Sequence, residues 1–335
     1  MGRPDLTRRN AVLLATGAGL IVTGFGATLS RERTPEYTGT TEADVAPVVS
    51  TAVPVSAPAE MAAGLGSEWD LPNLDHPRID YWMDRFENVP AMRKKFQGFL
   101  DRGGPLAPLI LERLRAREMP RDLLYLAMIE SGFQPNATSH AAAVGVWQFI
   151  RETGERYGLA VDRAVDERRD PVRATDAALD YLQELHDRFG SWYLAAAAYN
   201  SGENRVGRAM RAEFGRERAR SEAEYYRIWD RLPRETRDYV PLMIAAARIT
   251  KDPEAYGFRP LTPSPIAWEE ITVPPATELG EIAGLYGTTV SELKELNPHF
   301  RLRRTPNNRD YPVRLPPGSL ERYAQVQAER ANVAD

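Results

Sequence analysis

Between residues 76 and 258 apolar residues recur at helical spacing and no pair of strands with a tight turn can be drawn, which constrains the fold more than any other feature. Ile79, Trp82, Met83 and Phe86 follow an i, i+3, i+4, i+7 pattern, and Leu106 to Leu114 continues it. Pro120 opens a helix that runs from Leu123 to Ser131, with Gly132 placed as its C-terminal cap and Pro135 preventing continuation. Asp170-Pro171 supplies a cap and a first-turn proline for a long helix that carries Ala174, Ala177, Ala178, Tyr181, Leu182 and Leu185. A further helix contains Trp192, Tyr193, Leu194 and Ala195 to Ala198, and ends at Gly202. Four consecutive alanines there predict a close approach between helices. The last helices of this region are expected over Glu222–Leu232 and Glu235–Thr250.

Glu130 stands out within this pattern. It lies seven residues after Leu123, four after Leu126 and three after Ala127, so it shares their apolar face. A buried carboxylate is costly unless it is protonated or paired, and the negative end of the helix dipole adds to the cost. Both effects raise the pKa, and a carboxyl held protonated near neutrality is what a general acid requires. A fraying helix end or a salt bridge to an arginine would place the same residue there without any chemistry.

Composition removes several alternatives. There are no cysteines, which excludes disulfide scaffolds, thiolate metal sites, cysteine nucleophiles and a lipid-modified N-terminal cysteine. His76, His140, His186 and His299 lie far apart and no pair has metal-ligand spacing, so neither metal nor cofactor is implied. The formal net charge is −4, without the basic excess of a nucleic-acid binder.

The ends of the chain read differently. Arg3, Arg8 and Arg9 precede an uncharged stretch from Asn10 to Ser30, the pattern of an export signal or membrane anchor over residues 1–30. Thr7 to Val12 resembles a twin-arginine signal, with Ala11 where a large apolar residue is usual. A cleaved signal and a retained anchor both fit, so the expected location is the periplasm or cell envelope, with association to the inner or outer membrane through the N-terminus. Residues 31–75 read as a flexible linker, rich in Thr, Pro, Ala and acidic residues. After a second linker over 259–265, a strand from Trp268 to Val273 is expected. Thr277 caps a short helix through Leu285, and a Thr289/Glu292 capping box opens another. Asn297-Pro298 ends that helix, and a return strand surrounds Val313 to Leu315. This βααβ unit covers 266–318, and 319–335 reads as a short helix with a frayed tail.

Four segments carry a family resemblance. They are Glu130-Ser131; Gly145-Val146-Trp147-Gln148-Phe149; Ala198-Tyr199-Asn200-Ser201-Gly202; and Thr236-Arg237-Asp238-Tyr239. In this order they resemble the motifs of soluble-lytic-transglycosylase (SLT) domains, most closely the branch of membrane-bound lytic murein transglycosylase D. The Asp166–Pro171, Leu232–Tyr239 and Tyr256–Phe258 stretches add to that likeness. The C-terminal unit resembles a LysM module through Tyr286-Gly287-Thr288-Thr289-Val290, Leu296-Asn297-Pro298 and Leu315-Pro316-Pro317-Gly318. It departs from it at Ala276-Thr277-Glu278, where Gly-Asp-Thr is usual.

The resemblance implies a mainly α, lysozyme-like catalytic domain over 76–258 followed by a peptidoglycan-binding module. It implies cleavage of the β-1,4 bond between N-acetylmuramic acid and N-acetylglucosamine with formation of a 1,6-anhydro end, by a monomer acting on glycan strands. Glu130 would be the catalytic acid and then base, with Tyr239 orienting it. Ser131, Gln148 and Asn200 would contact substrate, Tyr199 would form the cleft wall, and Trp147 would stack on a sugar or fill the core. Two alternatives stay open: a hydrolytic muramidase using Asp166, Glu167 or Asp170 as a second carboxylate, and a catalytically silent peptidoglycan-binding protein. For the acidic cluster the structural reading is preferred, with Asp170 capping a helix and Asp166 and Glu167 balancing Arg168 and Arg169.

Overall fold

The computed structural model describes residues 48–50 and 68–334, so the predicted export segment and most of the first linker lie outside the described residues. The expected mainly helical fold is what is observed. Helices α1 (Pro77–Asn88) and α2 (Pro90–Ala116) lead through a single 3-10 turn at Arg121–Leu123 into α3 (Leu124–Ser131). Then follow α4 (Arg151–Arg156), α5 (Pro171–Phe189), α6 (Trp192–Ser201), α7 (Glu203–Phe214), α8 (Glu224–Arg227) and α9 (Arg234–Lys251). Among the described residues no helix is long and apolar enough to cross a membrane.

Local chemistry sets the helix ends. The Asp170 carboxylate accepts from the Val172 and Arg173 amides at 2.9 and 3.2 Å, and Pro171 occupies the first turn of α5. Gly132 ends α3 at φ +61° and Gly190 ends α5 at φ +66°, the left-handed geometry that glycine adopts without penalty. Every residue of α3 is buried, and Ala195 to Ala198 of α6 are fully enclosed between α5 and α9, as the alanine run predicts. The sequence expectations include neither the six-residue α4 nor α7, although Val206, Ala209 and Met210 give α7 a buried stripe at helical spacing. The expected Glu222–Leu232 helix is broken into α8 and a 3-10 turn at Trp229–Arg231.

The C-terminal unit contains β2 (Glu269–Val273), α10 (Leu279–Leu285), α11 (Val290–Leu296), β3 (Tyr311–Leu315) and α12 (Ser319–Ala334). Strands β2 and β3 pair antiparallel, with Ile271 opposite Val313. The Thr289/Glu292 capping box is present, whereas Thr277 does not cap α10. The Thr277 hydroxyl donates to the Pro274 carbonyl at 2.8 Å, and the Leu279 amide is satisfied by the Arg303 carbonyl instead.

The described parts of the two linkers and the tail form more contacts than their composition suggests. Strand β1 (Val48–Ser50) lies inside the first linker and pairs antiparallel with β2. Residues 68–75 pack on the helical domain. Leu71 is buried, the Asp70 and Leu71 amides donate to the Asp122 carboxylate at 2.8 and 3.0 Å, and Arg121 grips the Asp70 carboxylate. In the second linker Leu261 is buried, and the Ser264 amide donates to the Gly104 carbonyl at 2.9 Å. A Cβ at Gly104 would meet the Thr262 carbonyl oxygen at 2.5 Å, so the close crossing depends on that glycine. Tyr323 of α12 stacks on Tyr286 at 4.8 Å, which makes the start of the C-terminal helix part of the unit.

The two domains are not beads on a string. Val165 of the helical domain is fully buried within the apolar cluster of the C-terminal unit, beside Ile271, Leu293, Phe300 and Val313. Around it the Tyr311 hydroxyl donates to Glu167 at 2.6 Å, Arg314 holds both Asp170 oxygens at 2.9 and 3.0 Å, and the Asp166 amide donates to the His299 carbonyl at 2.9 Å. Burial alone would raise the Asp170 carboxyl, but Arg314 and its other partners hold it below the usual carboxylate range. Burial pushes the His299 imidazole down to about 4 despite the neighbouring Asp170 carboxylate.

Candidate active site

A cleft of about 730 Å3 opens on the helical domain, with Glu130 on its floor. Glu130 sits in the last turn of α3, where its helical spacing from Leu123 and Leu126 turns it into the packed interior, and only 4% of it is exposed. The Tyr239 hydroxyl, on α9, donates to Glu130 Oε1 at 2.5 Å and is itself buried. Burial pushes the Glu130 carboxyl up to about 7; the Tyr239 hydrogen bond opposes the rise and the nearby Glu235 carboxylate adds to it.

The wall facing Glu130 comes from α6 and α9. Tyr199 lines the cleft, and its hydroxyl donates to the Trp147 carbonyl at 2.8 Å, tying α6 to the loop before α4. Asn200 lines it too. Its Oδ1 accepts from the Thr236 hydroxyl at 2.9 Å, while its buried Nδ2 has no partner among the described residues. Asn200 is therefore a fixed, half-satisfied amide at the cleft wall and not the cap of its helix, which Gly202 supplies at φ +87°.

The opposite wall is the 137–150 loop. It folds back through single β-bridges, Thr138 with Val144 and Val144 with Phe149. Gln148 takes a positive φ of 49°, turns into the cleft and donates from Nε2 to the Gly145 carbonyl at 2.8 Å. Arg168 braces this loop from below. Its guanidinium bonds the Ala142 and Phe149 carbonyls, both at 3.1 Å, and is itself paired with Asp166 at 2.8 Å. Gly145 lies against the Arg168 carbonyl at φ +87°, so closely that a Cβ would overlap that oxygen.

Two expected substrate contacts lie elsewhere. Trp147 is fully buried and donates from Nε1 to the Thr175 hydroxyl at 2.9 Å, so it fills the core and cannot stack on a sugar. The buried Ser131 hydroxyl donates to the Val146 carbonyl at 2.9 Å and accepts from the Gln134 amide at 3.1 Å. It couples α3 to the cleft loop and does not face the cavity. The backbone after a helix end leaves unpaired groups, and this hydroxyl is consumed by them. The acidic cluster takes its structural role. Asp166 pairs with Arg168, while Glu167 and Asp170 are buried in the domain joint.

The cleft holds a second carboxyl that sequence reading passes over. Glu235, in the first turn of α9, lines the same cavity, and its Oε1 has no partner among the described residues. Burial raises it to about 7, with the Asn200 amide pulling the other way. In sequence it sits among Arg234, Thr236 and Arg237 and resembles a surface residue; only the packing of α9 beside α6 turns it inward.

Residues 109–221 match the transglycosylase SLT domain family, and residues 267–331 match the LysM-like domain of lytic transglycosylase MltD. Membrane-bound lytic murein transglycosylase D of Escherichia coli K12 is 40% identical over 199 residues, covering 58% of this chain and 43% of the relative. The chain thus spans less than half the length of that relative. Among solved structures, the 70 kDa soluble lytic transglycosylase of Escherichia coli superposes with a TM-score of 0.38 at 21% identity, covering 57% of this chain and 35% of that one. An inactive mutant of the lytic transglycosylase Slt from Pseudomonas aeruginosa gives 0.35 at 22% identity, covering 46% and 25%. The two family matches agree with the resemblance read from the sequence: an SLT domain over 109–221, which contains the first three motifs, and an MltD-type LysM-like domain over 267–331.

Proposed function

We propose that this protein is a peptidoglycan lytic transglycosylase of the cell envelope. It cleaves the β-1,4 bond between N-acetylmuramic acid and N-acetylglucosamine and leaves a 1,6-anhydro-muramic acid end. The observation that carries the reading is Glu130, a carboxyl enclosed on a cleft floor, raised to about 7 by burial and oriented by Tyr239. At neutral pH such a group is protonated in a large fraction of molecules and can donate to the departing glycosidic oxygen.

As the bond from the muramic acid anomeric carbon to that oxygen breaks, the proton of Glu130 moves to the leaving sugar. The ionised Glu130 then accepts the proton of the muramic acid 6-hydroxyl, whose oxygen closes onto the anomeric carbon. The substrate's 2-acetamido group stabilises the developing positive charge. No water enters, and Glu130 ends protonated as it began. Gln148 and Asn200 line the cleft walls, where their amides would hold acetamido or hydroxyl groups of the substrate. Tyr199, Ser131 and Trp147 act from behind, by fixing the walls to each other.

A glycosidase that uses water or a covalent intermediate needs one carboxyl protonated and another ionised across the scissile bond. Glu235 is the candidate that keeps the muramidase reading in view, because it shares the cleft. Burial raises both carboxyls, and no ion pair among the described residues holds Glu235 ionised as a second catalytic carboxylate would require. This favours the single-carboxyl lyase.

The test is mass spectrometry of purified peptidoglycan digested by the wild type and by Glu130→Gln. Products lighter by one water than their hydrolytic counterparts, absent with the variant, are expected. Reducing-end products of full mass would assign hydrolysis and direct attention to Glu235. Sacculi bound but uncut by the wild type would favour the binding protein.

A further inference from the structure

Arg151 lines two hollows at once. One is the cleft that holds Glu130; the other is a more open depression of about 520 Å3 lined also by Asp162, Arg163, Arg301 and Leu302. The two therefore share a wall, and the second lies where the LysM-like domain meets the helical domain. We propose that this depression extends the cleft as a cationic groove, built jointly by the two domains, that holds the carboxylates of the peptide stems of the glycan strand. The inference rests on the peptidoglycan reading above and adds a part of the substrate that the cleft itself does not address.

Charge is the first argument. Arg163 is exposed, and no carboxylate among the described residues pairs with it. Arg301 donates from Nη1 to the Asp162 carbonyl at 2.9 Å and likewise lacks a carboxylate partner among the described residues. Arg151 pairs with Glu155 at 2.9 Å, but both side chains are about half exposed, and such a pair exchanges readily with another carboxylate. Asp162 is the acid lining the depression. Its Oδ1 accepts from the Ala164 and Val165 amides at 2.7 and 2.9 Å, and Oδ2 lies 3.6 Å from Arg309, so its charge is already matched. What remains is an excess of guanidinium groups, the side chain best suited to two-pronged recognition of carboxylates.

Geometry is the second. Arg163 belongs to the helical domain and Arg301 to the LysM-like domain, yet their positions are locked together. The Arg301 amide donates to the Ala164 carbonyl at 2.8 Å, and Val165, two residues after Arg163, is plugged into the core of the other domain. The groove is thus preformed and needs no hinge closure to bring its two sides together, which lowers the ordering cost of binding. The third argument is chemical. The sugar backbone of peptidoglycan carries no charge at sites already joined to stems, whereas the stems themselves end in free carboxylates. A cationic wall beside a glycan cleft matches the stem and offers nothing to the sugar.

The experiment is equilibrium binding of the full-length protein, made inactive by Glu130→Gln, to labelled glycan strands with intact stems and to the same strands with their stem carboxylates converted to amides, which removes the charge without exposing the lactyl carboxylates. Arg163→Gln combined with Arg301→Gln is expected to weaken binding of carboxylate-bearing strands about fivefold, the range of two modest surface ion pairs, with amidated strands unaffected. Arg301→Lys, which keeps the charge, should recover part of the loss. Added salt should erase the preference of the unsubstituted groove for carboxylate-bearing strands. Arg208→Gln on the exposed side of α7 removes a like charge elsewhere and should change neither substrate. Equal weakening on both strands, equal weakening by Arg208→Gln, no weakening at all, or failure to bind either strand would overturn the inference. The readout is binding and not turnover, so absence of anhydro products from the wild type would sink the lyase reading while leaving this comparison intact.

Discussion

Replacing Glu130 by glutamine should abolish cleavage and, above neutral pH, make the protein more stable. The glutamine Oε1 can accept the Tyr239 hydroxyl as Oε1 of Glu130 does at 2.5 Å, so packing is preserved while the charge is removed. The Glu130 carboxyl stands at about 7 in the folded protein against an ordinary 4.5. Between those values the folded state keeps a proton that the unfolded chain has released. Stability from this residue is therefore fully present below pH 4.5 and is lost as pH rises to about 7. Above that the folded wild type carries a buried charge costing about 3 kcal/mol, from a difference of roughly 2.5 pH units at 1.36 kcal/mol each. The variant has no such charge. Urea unfolding of both proteins, followed by tryptophan fluorescence at pH 4 and pH 8, measures the difference. The stability gap should move in favour of Glu130→Gln by about 3 kcal/mol between the two pH values. A gap that does not vary with pH, or that moves toward the wild type, would refute the claim that Glu130 is held as a buried acid.

Two further perturbations test the surroundings. Tyr239→Phe removes the hydrogen bond that favours the ionised carboxyl and should move the alkaline limb of kcat/KM upward in pH while lowering kcat about a hundredfold through lost orientation; Glu235→Gln removes a neighbouring negative charge and should move the same limb downward, and pH–rate profiles of the pair check the opposite signs. In the joint, Arg314→Leu takes the bidentate guanidinium from the fully buried Asp170 carboxylate, leaving it the two α5 amides and Arg173 at 3.7 Å, and should cost about 3 kcal/mol, read as a lower urea midpoint of the full-length protein.

Much of the site was legible because it depends on local spacing. Glu130 falls on the apolar face of its helix by arithmetic alone, and the ends of α3, α5 and α6 follow from Gly132, Asp170-Pro171 and Gly202. Trp147 was not legible in the same way. A tryptophan beside a cleft motif can face sugar or core, and the choice was made by Thr175 on α5, which offers its indole a partner 28 residues away. Glu235 was missed for the converse reason: its sequence neighbours are polar, and its inward face exists only because α9 packs against α6.

The amino-acid sequence by itself determined the helical class, the boundaries of the main helices, the buried acid and the order of the motifs, because these rest on periods of a few residues. The tertiary structure alone decided which groups face the cleft and what the acidic cluster does. Asp166 and Glu167 read as balancing Arg168 and Arg169, and Asp170 as a helix cap, until Tyr311 and Arg314, more than 140 residues later, close over them and make them the joint between the domains. Hydrogen bonding and burial across such separations are properties of packing, and no local pattern carries them.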